Sequence, residues 1–218
     1  MLKYVCVVSE PFAENTYLVY DDASSGCIVV DPGFDAAATY EALQELGREP
    51  SAILITHGHA DHIVGIDPLL DEWPQLPLII GADEAPKLTD AELNLSAGFG
   101  FPIVTRPANV LVREGDWVEH AGLKFEVRWT PGHSSGHVVY VWHDGTPAVV
   151  IGGDVLFAGS VGRTDLPGGS FEQLRSAIHD KLFTLADTTI VLPGHGPPTT
   201  IGEEKRSNPY VGLHARRL

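Results

Sequence analysis

Three histidines and one aspartate lie within a single short segment, residues 56–62, which reads THGHADH. Residues 53–55 just before it are apolar and predict a buried strand, and Gly58 allows the chain to bend sharply. Core packing explains such a cluster poorly, because each buried polar group would need its own hydrogen bonds. The segment therefore predicts a metal site in which two pairs serve two ions: His57 with His59, and Asp61 with His62.

Three later segments share a layout in which an apolar run ends in Gly or Pro and then a side chain able to bind a metal. They read TPGH at 130–133, GGD at 152–154 and PGH at 193–195. Strands hold such side chains rigidly, and Gly and Pro let the backbone turn to present them inward. The candidate metal ligands are therefore His57, His59, Asp61, His62, His133, Asp154 and His195. This set is too large for one tetrahedral ion and suits two divalent ions that share a bridge.

The segments HGHADH, PGHSSGH, GGDVLFAGSVGRTDLPGGS and LPGHGPPTTIGEEKRSNPY resemble the metallo-β-lactamase superfamily, and specifically its short glyoxalase II-like (hydroxyacylglutathione hydrolase-like) hydrolases. The resemblance spans nearly the whole chain. It implies an α/β fold of the αββα type, with two mixed β-sheets flanked by helices and the metals at one edge. It also implies two groups of ligands bridged by Asp154: His57, His59 and His133 for the first ion, and Asp61, His62 and His195 for the second.

Two divalent ions can lower the pKa of a shared water toward about 7 and polarise a carbonyl, which is hydrolytic chemistry. With the resemblance, this predicts cleavage of a glutathione-type thioester, such as S-lactoylglutathione, to a hydroxy acid and a thiol by attack of a metal-bridging hydroxide. Asp61 could be a ligand or a proton acceptor beside that hydroxide, and we expect a ligand. Zinc is the expected metal, with iron or manganese as alternatives, because affinity order does not settle metal identity in a cell.

Three other functions compete with thioester hydrolysis. A persulfide dioxygenase would use one iron held by His57, His133 and Asp154, but the DLPGG segment after Thr164 resembles the hydrolase branch more closely. A true β-lactamase generally lacks a bridging carboxylate at the position of Asp154. A non-catalytic metal-binding module would be marked by the loss of a ligand, and all seven candidates are present.

Four features outside the candidate ligands have two interpretations each. His137 could contact a ligand or the substrate, or could be a hydrogen-bonded structural histidine. Arg163 could bind a substrate carboxylate or could brace its loop through Asp165. The loop 96–102, rich in Gly and Phe, could wall a substrate cleft or plug the core. The run EEKR at 203–206 could meet glutathione carboxylates, although runs of mixed sign are usually solvated helix faces.

Length and composition fit a single domain over residues 1–218, because 44% of the residues are hydrophobic and no linker or repeat divides them. The net charge of −15 would repel the phosphate backbone of nucleic acids and disfavours anionic membranes. No apolar stretch approaches the length of a membrane span or a secretory signal. We therefore expect a cytoplasmic enzyme that acts on a small molecule, with no nucleic-acid or membrane partner.

The elements that must position these residues follow from periodicity and turn signals. We expect initial strands followed by strands that alternate with helices. Helices are predicted over 35–47, directly after the metal segment, within 83–95, and from 171, where Ser170 is the N-cap of one continuous helix. Strands are predicted near 2–8, 15–20, 26–31, 51–56, 110–112, 116–119, 122–130, 137–142, 147–152 and 189–192. Cys6 and Cys27 are expected to be small buried residues rather than a disulfide.

Overall fold

A computed structural model of the protein describes residues 1–215, with the exception of the side chain of Phe99. Its strands form two six-stranded sheets and one two-stranded sheet. The strands are β1 (Leu2–Ser9), β2 (Glu14–Asp21), β3 (Gly26–Val30), β4 (Glu49–Ile55), β5 (Leu78–Gly81), β6 (Val110–Val112), β7 (Trp117–His120), β8 (Leu123–Trp129), β9 (Val138–Trp142), β10 (Val149–Gly153), β11 (Leu156–Phe157), β12 (Ser160–Val161), β13 (Ile190–Pro193) and β14 (Thr199–Thr200).

Both large sheets mix parallel and antiparallel pairs. The first sheet has the order β1-β2-β3-β4-β5-β6, antiparallel from β1 to β3 and parallel from β3 to β6. The second has the order β14-β13-β10-β9-β8-β7, in which only β10 and β13 pair in parallel. Parallel neighbours bring the ends of consecutive strands to the same edge of a sheet, which is where the candidate ligands follow β4, β10 and β13.

Three helices begin at side chains that cap them. Asp35 accepts a hydrogen bond from the amide of Ala38 over 3.0 Å, and Ser170 accepts one from Gln173 over 3.3 Å. Gly47 ends the first helix in the left-handed conformation, at φ 61°. The helices are α1 (Ala36–Leu46), α2 (Ala60–Ile63), α3 (Ile66–Glu72), α4 (Phe171–Ala177) and α5 (Ile201–Ser207), with 3₁₀ turns at Ala85–Thr89 and Ser96–Phe99 and a π-helical turn at Ile178–Leu182.

Alternate side chains of the strands face two different apolar layers. In β2, Val19 points between the two large sheets, whereas Leu18 points outward to the helices of the first sheet. Helices α1 to α3 cover that outer face, and α4, α5 and the π-helical turn cover the outer face of the second sheet. The expected αββα arrangement, two mixed sheets flanked by helices, is therefore confirmed. Among residues 1–215, no helix is long and apolar enough to cross a membrane.

The predicted elements lack four strands, β5, β11, β12 and β14, and are wrong about the form of one helix. Strand β5 was not expected, although its four residues are buried in the parallel half of the first sheet. The helix that starts after Ser170 was expected to be continuous, but it changes to a π-helical turn after Ala177. The π-helical turn still buries Ile178 and Leu182 in the outer layer, so the apolar spacing identified the correct face without its exact geometry.

The two cysteines differ in exposure, and the expectation of burial is wrong for Cys6. Cys27 is fully buried in β3, and burial raises its pKa to about 12. Cys6 is exposed, because β1 is the edge strand of its sheet and is covered on fewer sides. Both are free thiols. The structure thus separates one accessible sulfur from one enclosed sulfur.

We expect a thiol reagent such as DTNB to modify one cysteine of the folded chain and both after denaturation, with Cys6 reacting first because its side chain is exposed whereas that of Cys27 is fully buried. The substitution Cys6→Ser should remove the rapid phase, and Cys27→Ser should leave it unchanged. Equal reactivity of the two thiols in the folded protein would contradict the burial of Cys27.

Candidate metal centre

The seven candidate ligands lie together at one end of the two large sheets. β4 leads into His57, β10 leads into Asp154, β13 leads into His195, and His133 lies shortly before β9. Residues that are far apart in the sequence meet there because the ends of both sheets face the same space. The structure brings all seven residues to one cluster.

Hydrogen bonds between the two sheets hold these loops against each other. The amide of Val138 donates to the carbonyl oxygen of Thr56 over 2.9 Å, and the amide of Asn15 donates to that of Gly194 over 2.8 Å. The side-chain amide of Asn15 also donates to the carbonyl oxygen of Pro193 over 2.9 Å. Each bond joins one sheet to the other beside a candidate ligand, so the loops are positioned by the packing of the sheets.

His57, His59 and His133, here called the first trio, present nitrogen atoms to one another. Nε2 of His133 lies 3.2 Å from Nε2 of His57 and 2.9 Å from Nδ1 of His59. On its other side, Nδ1 of His133 donates to the carbonyl oxygen of Arg163 over 2.9 Å. That bond places the proton on Nδ1 and leaves the lone pair of Nε2 facing the other two rings.

Burial keeps the first trio neutral. It lowers the pKa of His57 and His59 well below the usual range, and the neighbouring histidines lower both further. Burial also lowers the pKa of His133, against an opposing effect of Asp154. Neutral imidazoles are the form that binds a metal, so these three residues can hold an ion without first losing protons.

Asp61, His62 and His195, here called the second trio, form a charged group beside the first. Oδ2 of Asp61 lies 3.4 Å from Nε2 of His195 and 3.8 Å from Nε2 of His62. Burial lowers the pKa of His62 and of His195, but nearby carboxylates outweigh it and raise both, well above the usual range for His62. Burial raises the pKa of Asp61, and the adjacent histidines reverse this to a low value. The group is therefore rich in paired charge.

Asp154 lies between the two trios. One carboxylate oxygen, Oδ1, is 3.5 Å from Nε2 of His62, and the other, Oδ2, is 3.5 Å from Nε2 of His133 and 3.6 Å from Nε2 of His195. A single carboxylate thus reaches nitrogen atoms of both trios. This is the contact that a bridging ligand would need.

Three buried side-chain atoms have no hydrogen-bond partner within residues 1–215, and two of them lie in this cluster. They are Nε2 of His62 and Oδ1 of Asp154, and the third is Oε1 of Glu14, which lies 4.0 Å from Nδ1 of His62. Buried polar atoms without partners are rare, and a cation is a natural partner for an imidazole nitrogen and a carboxylate oxygen. The donor set therefore fits divalent transition-metal ions.

Asp31 orients the second trio and was missed in the sequence analysis. Its Oδ1 accepts from the amide of Thr56 over 2.7 Å, and its Oδ2 accepts from the hydroxyl of Thr56 over 2.6 Å and from Nδ1 of His62 over 3.1 Å. These bonds leave Nε2 of His62 free to face Asp154. Asp31 also lies near enough to His57 and His62 to be a ligand, but its oxygens already accept three hydrogen bonds.

His137 is a buried structural histidine in this structure. Its Nε2 accepts a hydrogen bond from the backbone amide of Asp154 over 3.1 Å, and its Nδ1 therefore carries the proton and faces the hydroxyl of Thr130 at 3.2 Å. Burial keeps its pKa well below the usual range. The residue positions the backbone of the candidate bridge, and both of its ring nitrogens are engaged.

A cavity of about 570 Å³ opens onto the cluster. Its walls include apolar side chains from several loops, among them Phe12, Leu95, Phe157 and Leu166. Leu95 and Gly98 bring the 96–102 region to this wall, while Phe101 packs edge-to-face on Phe34 at 6.4 Å between ring centroids. That loop therefore both borders the cavity and packs against its neighbours.

The cations that the sequence suggested for substrate binding line two different cavities. Arg163 lines it, and its guanidinium donates two hydrogen bonds of 2.8 Å to the carboxylate of Asp165. Lys205 pairs with Asp187 at 2.8 Å, and Arg206 pairs with Glu203 on α5; Lys205 and Arg206 line a different cavity. Arg163 is therefore the predicted cation that reaches the site, and the 205–206 pair does not.

The chain matches the Metallo-beta-lactamase superfamily over residues 9–195, which is most of its length. The chain belongs to the metallo-β-lactamase superfamily. It is 40% identical over 203 residues to the "Probable metallo-hydrolase YqgX" of Bacillus subtilis (strain 168), covering 92% of this chain and 93% of that protein. It is 37% identical over 203 residues to the hydroxyacylglutathione hydrolase GloC of Haemophilus influenzae, covering 92% and 93%. The resemblance found in the sequence is confirmed.

Solved structures of this superfamily are similar along nearly the whole chain. BLEG-1, described as a B3 metallo-β-lactamase, has a TM-score of 0.89 at 39% identity, covering 97% of this chain and 99% of its own. TTHA1623 in a di-iron-bound form has a TM-score of 0.81 at 37% identity, covering 94% and 99%. ETHE1 from Myxococcus xanthus has a TM-score of 0.76 at 32% identity, covering 96% and 84%.

Family membership and the histidine-rich cluster together make this chain a metal-dependent hydrolase of the metallo-β-lactamase superfamily. Groups of histidine and aspartate at these distances suit a divalent metal, and one similar structure holds two irons.

Proposed function

We propose that this protein hydrolyses a thioester of the hydroxyacylglutathione type with two divalent ions, zinc first and iron or manganese as alternatives. The observation that carries the proposal is the position of Asp154, whose carboxylate lies within 3.6 Å of ring nitrogens in both trios. The similarity to GloC, at 37% identity over nearly the whole of both chains, supports the substrate class.

In this proposal each trio would hold one ion, and Asp154 would serve as a ligand to both. When bound, the ions would supply Lewis-acid activation of a water molecule and of the substrate carbonyl. Hydrogen bonds to the ring nitrogens that face away from the cluster orient two of the ligands. The backbone carbonyl oxygen of Arg163 accepts one from His133, and the carboxylate of Asp31 accepts one from His62. We assign Asp61 as a ligand of the second ion, an assignment supported by the position of its carboxylate facing both histidines of that trio.

The cavity contributes binding and the exclusion of water. Apolar walls that include Phe12, Leu95 and Phe157 can cover the sulfur and acyl portions of a thioester. Arg163 at the same cavity is placed to bind a substrate carboxylate if its guanidinium exchanges Asp165 for the ligand, since both side chains are largely exposed. A carboxylate-bearing thiol such as glutathione is therefore compatible with this site.

The first test combines metal analysis with substrate assays on protein purified without chelators. We expect about two transition ions per chain, and hydrolysis of S-lactoylglutathione that disappears on chelation and returns when metal is added back. Substrates of the two competing functions are measured in parallel, nitrocefin for β-lactam hydrolysis and glutathione persulfide with an oxygen electrode.

The other outcomes would contradict the proposal in distinct ways. One iron per chain with oxygen uptake on persulfide would support the dioxygenase, with His57, His133 and Asp154 as the iron ligands. Hydrolysis of nitrocefin without thioester turnover would support β-lactamase activity, which is the activity in the description of BLEG-1. Binding of two ions without turnover of any of these substrates would support the proposed metal site and overturn the proposed substrate class.

A further inference from the structure

Glu84 is a fully buried carboxylate in the turn after β5, outside the set of candidate ligands. Its Oε2 accepts a hydrogen bond from the amide of Gly58 over 2.8 Å. Its Oε1 accepts one from the amide of Gly136 over 2.8 Å and one from the hydroxyl of Ser134 over 2.5 Å. Lys87 lies 3.0 Å from Oε2 and 3.2 Å from Oε1. Both oxygens of this side chain are thus engaged by two separate loops.

Those two loops carry the first trio. Gly58 lies between His57 and His59, while Ser134 and Gly136 lie one and three residues after His133. The loops belong to different sheets, since one leaves β4 and the other enters β9. One carboxylate therefore links the backbone on both sides of the three imidazoles without touching a ring.

The close approach of the turn to both loops explains two glycines. A Cβ atom on Gly58 would lie 2.5 Å from Cβ of Lys87, and one on Gly136 would lie 2.7 Å from the carbonyl carbon of Asp83. Neither glycine has a positive φ in the structure. Gly58 is therefore needed for contact with the turn rather than for the sharp bend that the sequence suggested.

Charge compensation makes the linkage possible. An isolated buried carboxylate is unfavourable, and Glu84 meets this cost with a cation and three further donors. Lys87 also donates to the hydroxyl of Ser134, so the cation contacts both the carboxylate and one of its donors. Both carboxylate oxygens of Glu84 accept hydrogen bonds from backbone amides. A glutamine at this position would replace one oxygen with an NH₂ group, and this donor would face the N–H of an amide.

We propose that Glu84, neutralised by Lys87, is a positioning residue that holds the two loops of the first trio at metal-binding distance. The second trio has a further support in Asp31, which accepts a hydrogen bond from the ring of His62. Asp31 also accepts from Thr56 beside His57, so Asp31 and Glu84 hold the segment 56–62 at two different points. This inference rests on the proposed assignment of a metal ion to the first trio and does not depend on the substrate.

The test measures metal affinity of the apoprotein in two backgrounds, by competition between cobalt(II) and a chromophoric chelator. His62→Ala breaks the second trio and leaves the first, whereas His57→Ala breaks the first and leaves the second. Adding Glu84→Gln should weaken cobalt binding by about 10- to 100-fold in the His62→Ala background, the usual range for residues that orient ligands. It should leave the affinity unchanged in the His57→Ala background.

This pattern separates positioning from general destabilisation, which would lower the affinity in both backgrounds. Glu203→Gln, on an exposed face of α5, makes the same chemical change away from the site and should have no effect in either. The visible spectrum of cobalt in the His62→Ala background should also shift with Glu84→Gln, because the three imidazoles would no longer hold the same geometry. Equal losses in both backgrounds, or no loss in either, would overturn the proposal.

If Glu84→Gln does not fold, Ser134→Ala removes one donor to the same carboxylate and keeps the others. It should give a smaller loss confined to the His62→Ala background, and a folded Ser134→Ala variant with unchanged cobalt affinity would overturn the proposal. Failure of the proposed two-ion centre is distinguishable, because the wild-type chain would then bind no ion or only one, and failure of the substrate class alone leaves this test unchanged. If the wild type binds two ions and Glu84→Gln causes no selective loss of affinity, only the proposed role of Glu84 is rejected.

Discussion

The substitution Asp154→Asn is expected to lower kcat/KM for thioester hydrolysis on the order of a thousand-fold, the scale of losing a main electrostatic contributor to the transition state. The carboxylate reaches both trios, and an asparagine would present an amide NH₂ to one of them. Bound metal should fall from about two ions per chain toward one. Steady-state kinetics with elemental analysis of the same samples measures both effects.

A matched control for this change is Asp187→Asn, because Asp187 is an exposed aspartate that pairs with Lys205 outside the cluster. We expect the control to keep wild-type metal content and activity. An Asp154→Asn variant with two ions and near-normal turnover would show that the carboxylate does not bridge, and it would remove the main support for the two-ion centre.

The substitution Gly194→Ala is expected to disable the centre while leaving the fold largely intact. A Cβ atom at this position would overlap Oδ1 of Asp154 and lie 2.7 Å from Cε1 of His62. Both atoms lie near the ends of side chains, so the carboxylate of Asp154 and the ring of His62 can move aside. Both groups would then no longer face the other candidate ligands. We expect kcat/KM to fall by about 100-fold or more, on the scale of displaced catalytic groups.

Metal content, circular dichroism and thermal unfolding of Gly194→Ala distinguish a displaced ligand from a lost fold. Gly26→Ala is the matched control, since a Cβ there would make ordinary contacts, the nearest at 3.4 Å with Cβ of Ser51 in the first sheet. The control should keep its ions and its activity. Normal metal content and turnover in Gly194→Ala would mean that the cluster tolerates movement of Asp154 and His62.

Much of the fold and the cluster could be predicted because the signals are local. Apolar runs that end in Gly or Pro before a histidine or aspartate identified the strand ends, and the structure places His57, Asp154 and His195 directly after β4, β10 and β13. The cap at Ser170 identified a helix start in the same way. The layered arrangement came from the family resemblance, since periodicity alone indicated only strands and helices.

The orienting residues could have been found in part. Asp31 follows the apolar Val29-Val30 at a strand end and is followed by Pro-Gly, so a carboxylate at a strand end beside turn residues was a usable signal, although here the turn residues come after the carboxylate. Glu84 had no such signal, because it lies in an ordinary acidic stretch between Asp83 and Ala85. Its burial and its contacts with two distant loops appear only in the folded chain.

The sequence by itself determined the superfamily, the candidate ligands and their places near strand ends, because these depend on neighbouring residues within one segment. Tertiary structure decided which atoms face one another and what holds them there. Asp31 contacts Thr56 and His62, and Glu84 contacts Gly58 and Gly136. Such contacts join segments tens of residues apart through the packing of two sheets, and no local pattern specifies that distance.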